Sequence, residues 1–261
     1  MKKKITLITL ALIIFASVTF YFFSQRKNTP KNNYINSAAT TSKDTLLPEP
    51  SSTKQSLSFN KSQYSLPDPT SLWVIVNKKN AIPITFAPNL TVPSVRLRLS
   101  ADEEQMQINT QTAPAIKEMF NDASKDGGSL VFGSGYRSAA KQKLFYNSYV
   151  AKDGKKAADS YSARPGHSEH QTGFAADVTS PSGKCHLQIC WEDTPEGQWL
   201  ASNSWRYGFI IRYPNGKTNI TGYQYEPWHV RYVGKDLAAK IHESGQTLEE
   251  FFGLPDAPTY D

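Results

Sequence analysis

Hydrophobic and polar positions divide the chain into four stretches. Lys2, Lys3 and Lys4 precede an apolar run from Ile5 to Phe23. A run of about 20 apolar residues is long enough to cross a bilayer as a helix, and basic residues at its start favour a cytoplasmic N-terminus. No small-x-small cleavage pattern closes it, since it ends in Phe20-Tyr21-Phe22-Phe23, and no Cys stands near that end to carry a lipid. Residues 1–24 are therefore expected to form an uncleaved signal anchor, with a cleaved signal peptide as the alternative. The rest of the chain is exported in either case. Residues 25–67 are rich in Ser, Thr, Asn, Lys and Pro, and bury too little apolar surface to offset their ordering entropy, so they read as a disordered linker. Residues 68–255 have an ordinary length for one folded domain, and 256–261 form a short tail.

Within that domain, Trp73-Val74-Ile75-Val76 and Ile82-Pro83-Ile84 read as short extended pieces. Val95 to Leu99 alternates apolar and basic residues, as a half-buried strand does. Ile116, Met119, Phe120 and Ala123 share one face of a helix over 113–124, which Gly127-Gly128 ends. Leu130-Val131-Phe132 is a buried-strand candidate that runs into Gly133-Ser134-Gly135-Tyr136-Arg137-Ser138. A second helix is expected over about 139–150 with Ser138 as its cap. A third has Thr194 as cap, Pro195 at its first position and Gly208 beyond its end. Phe209 to Tyr213 reads as strand, closed by Pro214-Asn215-Gly216. Helices come early and strands gather around the chemically interesting residues. This pattern predicts an α+β domain whose small antiparallel sheet carries the reactive site and is flanked by helices.

Charge and cysteines add two points. The formal net charge of +6 fits an anionic partner surface. For an exported, tethered domain the polymers of a bacterial wall suit that better than nucleic acid, although solubility alone accounts for the charge equally well. The two cysteines, Cys185 and Cys190, flank His186-Leu187-Gln188-Ile189. In an exported chain a local disulfide is the first reading. A zinc site using both with His186 is the alternative, but no second ligand pair lies nearby.

The chemistry is concentrated in two segments, 168–177 and 226–229, which supply His170, Asp177, Glu226 and His229. Two imidazoles and two carboxylates give three ligands for a catalytic zinc and one free general base. On a continuous helix His170 and Asp177 would lie about 10 Å apart along the axis, too far to share an ion. On a continuous strand an odd offset sends them to opposite faces. They converge only if the chain bends, and Gly173 is the residue best able to allow it. The expected geometry is a loop carrying His170, a turn at Gly173 and a short strand over 174–178 presenting Asp177. Pro227 disfavours helical dihedrals at Glu226 and suits a first helical position, so His229 is expected within the first winding of a helix, with Glu226 at its lip. His167 is a weaker competitor for the ion, and His186 and His242 read as surface residues. Ser138-Ala139-Ala140-Lys141 matches a Ser-x-x-Lys motif, but its companion Lys-Thr-Gly is missing.

Three blocks, Ser134-Gly135-Tyr136-Arg137-Ser138, Ser168 to Gly173 with Asp177, and Glu226 to Gly234, together resemble the signature of the VanY-like zinc D-alanyl-D-alanine carboxypeptidases, whose relatives include L,D-carboxypeptidases and which share a fold with the Hedgehog signalling domain. The resemblance spans about 72–234. It implies Zn2+ held by His170, Asp177 and His229, and Glu226 as the base that activates water and then protonates the leaving amine. Arg137 matches the arginine that binds substrate near the scissile carbonyl. Gln142 and Ser168 match positions that hold the substrate's terminal residue, and Trp228 an aromatic wall. The Cys185 and Cys190 pair is a departure that the family pattern does not require. The expected activity is removal of the C-terminal D-alanine from peptidoglycan stem peptides by a monomeric domain tethered outside the cytoplasm, with D,D- or L,D-specificity open. The alternatives are a peptidoglycan endopeptidase and a non-catalytic, zinc-containing wall-binding module.

Overall fold

The structure is a computed structural model that describes residues 60–260. The expected anchor and nearly all of the expected linker lie outside the described residues. Among the described residues, no helix is long and apolar enough to cross a membrane.

A short antiparallel pair, β1 (Leu90–Thr91) and β2 (Ile108–Asn109), precedes helix α1 (Ala113–Lys125). Helix α1 buries Ala115, Ile116, Met119, Phe120 and Ala123, the stripe that its sequence spacing predicts. Strand β3 (Val131–Ser134) leads into α2 (Ala139–Asp153), whose cap Ser138 accepts the Lys141 N–H as expected, and then into α3 (Lys155–Tyr161). Strand β4 (Ala175–Thr179) follows, then α4 (Pro195–Asn203), capped by Thr194 with Pro195 in its first turn. Strand β5 (Phe209–Ile211), the single turn α5 (Thr218–Thr221) and strand β6 (His229–Tyr232) come next. Helices α6 (Lys235–Ser244) and α7 (Leu248–Phe252) complete the fold. The α+β class is as expected, but helices are not confined to the early part of the chain.

The main sheet has the order β3-β4-β6-β5 and is antiparallel throughout. Strand alternation sends side chains to opposite faces. Phe132, Ala176, Val178, Phe209 and Val230 pack with Ile116, Met119 and Phe120 of α1 in one core. Ile210 points the other way and joins Leu237, Ala238 and Ile241 of α6 and Leu248 and Phe251 of α7 in a second. The sheet is thus covered on both faces.

Three expectations are corrected. Residues 95–99 do not form a strand. Leu97 makes a single parallel bridge to Phe132, and pairing ends there because β3 bulges at Gly133, where its register with β4 shifts. The folded unit also passes both expected boundaries. Tyr64 is buried edge-on against Trp73, with ring centroids 4.6 Å apart. At the other end Ala257 is fully buried, and the ring of Tyr260 lies 3.9 Å from the Arg164 guanidinium. These are single anchors in polar stretches, and averaged composition does not register them. Finally, Glu226 and His229 lie on a tight turn rather than a helix. The His229 N–H donates to the Glu226 carbonyl at 3.1 Å, and β6 begins at His229.

Candidate metal centre

The sheet register makes the first half of the site. Asp177 on β4 lies directly opposite His229 on β6, so the two side chains leave the same face as neighbours. His170 reaches them from a single 3-10 turn, Glu169–Thr172, that ends in the left-handed region at Gly173 (φ 70°). A Cβ at Gly173 would stand 2.8 Å from the Asn109 backbone nitrogen, so only glycine makes this bend.

The donors converge as a metal site requires. His170 Nε2 lies 3.4 Å from Asp177 Oδ2, and His229 Nδ1 lies 3.3 Å from Asp177 Oδ1. Ligand atoms of all three residues fall within 4.8 Å of one another, and all three residues are buried. A tetrahedral ion with bonds of about 2.0–2.1 Å sets neighbouring donors about 3.3 Å apart, so the spacing and the N, N, O donor set fit Zn2+. The His170 tautomer is fixed by its surroundings. Its Nδ1 lies 2.6 Å from the Gly135 carbonyl, which can only accept, so Nδ1 carries the proton and Nε2 presents a lone pair. Asp177 Oδ2 accepts from the Ser134 hydroxyl and lies 3.9 Å from the Arg137 guanidinium.

Glu226 stands beside this cluster, with Oε2 3.6 Å from His229 Nδ1. Burial raises its pKa to about 7, against the opposing pull of His229. A carboxyl poised there can take and return a proton near neutrality. For Asp177, burial would raise the pKa, but the two histidines outweigh it and hold the carboxyl well below its ordinary value. Burial pushes the His170 pKa down. At His229 burial also pushes downward, but the nearby carboxylates of Asp177, Glu169 and Glu226 prevail and lift it to about 9.

The cluster forms part of the lining of a cleft of about 280 Å³, together with Arg137, Gln142, Ser168 and Trp228. All eight residues expected at the site therefore share one cavity. Arg137 donates to Gln142 Oε1 at 3.0 Å, and Gln142 Nε2 donates to the Ala163 carbonyl at 2.7 Å. The expected disulfide joins Cys185 and Cys190. It closes a loop in which Cys185 and Leu187 both have positive φ, and it sets Leu187 on the cleft wall. His167 is not part of the cluster, and its Nδ1 pairs with the Asn77 carbonyl at 2.8 Å. His186 is half-buried rather than a surface residue, and its Nδ1 is enclosed.

Residues 105–235 match the VanY family model, described as D-alanyl-D-alanine carboxypeptidase. The "Putative carboxypeptidase YodJ" of Bacillus subtilis (strain 168) is 41% identical over 72% of this chain and 69% of its own length. The chain belongs to the VanY family. The D-alanyl-D-alanine carboxypeptidase of Enterococcus faecium is 39% identical, but the matched region spans only 45% of that protein. Among solved structures, the LdcB LD-carboxypeptidase aligns with a TM-score of 0.68 and 41% identity, covering 72% of this chain and 88% of that one. A vancomycin-resistance D,D-pentapeptidase VanY in complex with Zn(II) aligns with a TM-score of 0.58 and 36% identity, covering 70% and 99%.

Behind this VanY-type cluster lies a charged layer that the sequence reading missed. Glu169 Oε1 accepts from Arg212 Nε at 2.8 Å and from Arg231 at 2.7 Å. Arg212 also forks onto Glu249 at 2.6 and 2.9 Å, and Glu249 accepts from the Asn77 amide at 3.0 Å. All four charged side chains are fully buried. The available signal was the position of Arg231 within, and Arg212 directly after, an apolar strand, where a lone charge needs a partner.

Proposed function

We propose that the chain is a zinc-dependent carboxypeptidase that removes the C-terminal D-alanine from peptidoglycan stem peptides. The observation that carries this reading is the division of labour among four buried groups: three converge at donor spacing, while the carboxylate of Glu226 stands beside them with its pKa lifted to about 7. Held by His170, Asp177 and His229, the ion would supply Lewis acidity to the scissile carbonyl and to a water. Glu226 takes a proton from that water and passes it to the departing amine. Arg137 has an enclosed Nε without a hydrogen-bond partner among the described residues, and its guanidinium suits a substrate carboxylate or a developing oxyanion. Gln142 fixes the guanidinium from one side.

The test is to incubate the zinc-loaded protein with stem tetrapeptide and pentapeptide and to weigh the products. Loss of one alanine from either is expected, and which peptide is cut distinguishes L,D- from D,D-specificity. Glu226→Gln should lower kcat by about 10²–10⁴-fold while leaving zinc content unchanged. Full activity in that variant would remove Glu226 from the mechanism. We further propose that the domain works outside the cytoplasm, tethered by residues 1–24. The apolar run after Lys2–Lys4 and the Cys185–Cys190 bond support this. Recovery of the protein from the soluble cytoplasmic fraction would oppose it.

A further inference from the structure

Each histidine that faces Asp177 has a second ring nitrogen, and the two are supported differently. His170 gives its far nitrogen to a backbone carbonyl, as described above. His229 points Nδ1 toward Asp177, which leaves Nε2 buried and without a hydrogen-bond partner among the described residues. The atom it faces is Glu169 Oε2, at 3.8 Å, and that oxygen is also buried and unpartnered. Buried polar atoms in folded proteins nearly always have partners, so two orphans facing each other call for one explanation. The gap is less than 1 Å beyond a hydrogen bond.

We infer that Glu169 is a positioning residue of the metal centre: its carboxylate accepts the Nε2 proton of His229 and so commits the Nδ1 lone pair to the ion. The inference rests on the metal-binding reading above. Three facts support it. Glu169 Oε1 is pinned by two arginines, Arg231 on β6 and Arg212 just beyond the end of β5, so the carboxylate is held from two sides and Oε2 is left for His229. Arg231 is itself anchored to the Leu72 and Val74 carbonyls at 2.9 and 2.8 Å, which fixes the layer from behind. Lone-pair commitment by a carboxylate on the far nitrogen is how ligating histidines are generally held, and loss of such a partner costs about 10–100-fold in metal affinity. In Glu169→Gln the side-chain oxygen can still face the arginines, but an amide N–H₂ then confronts the Nε2 proton, donor against donor.

The experiment measures zinc affinity by competition with a chelator of known strength, on wild type and Glu169→Gln, with thermal unfolding of both metal-free proteins as a check on folding. The expected result is about 10–100-fold weaker binding in the variant, beyond what the change in unfolding temperature accounts for. Equal affinity in a folded variant would overturn the inference. Should the variant fail to fold, the wild type decides. With ¹⁵N-histidine and ¹¹³Cd in place of zinc, the metal should couple to Nδ1 of His229 while Nε2 carries a slowly exchanging proton. Coupling to Nε2 would overturn the inference. A wild type with no measurable affinity for zinc would overturn the metal reading itself, an outcome distinct from either.

Discussion

On the floor of the cleft, Asp177 and His229 face each other across paired strands, and every residue of β4 is buried. On the rim, Tyr149 and Tyr161 come from helices α2 and α3 and meet edge-on at 5.3 Å, while Leu187 projects from the disulfide loop with 44% of its surface exposed. The floor is fixed by ladder hydrogen bonds and two paired arginines. Two helices and one covalently closed loop make the rim. Two of the three converging donors, Asp177 and His229, are thus built on paired strands and the third, His170, on one short turn, while the residues at the mouth come from two helices and a loop.

This contrast can be broken from the floor side first. Arg212→Met leaves Glu249 and Glu169 short of their shared counter-charge in a region closed to water. Breaking a buried pair on one side typically costs about 3–5 kcal/mol, to be read as a lowered urea midpoint. The loss should also depend on pH. Burial alone would raise the Glu249 pKa, but Arg212 and Asn77 outweigh it and hold the carboxyl below its ordinary value. A carboxyl lowered on folding contributes stability that is fully present above its unfolded pKa of about 4.3. That contribution disappears as pH falls through the lowered folded value. Wild-type stability should therefore hold from neutrality down to about pH 5 and then decline. In Arg212→Met burial acts with less opposition, so the gap between variant and wild type should narrow toward pH 4. A gap constant across that range would show that the ion pair is not its source.

The rim should respond more mildly and in a different quantity. Replacing both Cys185 and Cys190 by Ser removes the closure of a short loop, worth about 2 kcal/mol on chain-entropy grounds, with the zinc affinity of the floor unchanged. Leu187→Ala should raise KM a few-fold and leave kcat alone, because Leu187 touches the cleft wall but no group that moves a proton. A large fall in kcat would mean that the loop also shapes the floor.

The two segments of the site were legible because each is local, one bend at Gly173 between His170 and Asp177 and one three-residue step from Glu226 to His229, whereas their meeting depends on the pairing of β4 with β6. The shape of the second step was not, since Pro227 has the same fixed φ at the start of a helix and in the second position of a turn. Only pairing of the following residues with β4 selects the turn. The charged layer was illegible for a related reason. Glu169, Arg212, Arg231 and Glu249 are far apart in sequence, and nothing local distinguishes a buried arginine on a strand from one at its edge. Helix α6 carries a readable stripe in Leu237, Ala238 and Ile241, but it is short, and the stripe is diluted by Lys235, Asp236 and Lys240. The half-buried position of His186 depends on the disulfide loop folding back over Gly133, a contact of long range.

Tyr260 gives the end of the chain a mechanical role. Its hydroxyl receives the Arg164 backbone N–H at 2.8 Å, and Arg164 in turn grips Asp159 of α3, two residues from Tyr161 at the mouth of the cleft. The Lys78 ammonium holds the same tail through the Pro258 carbonyl at 3.2 Å. Trimming Pro258 to Tyr260 would therefore remove the partners of Arg164 and Lys78 next to the cleft mouth.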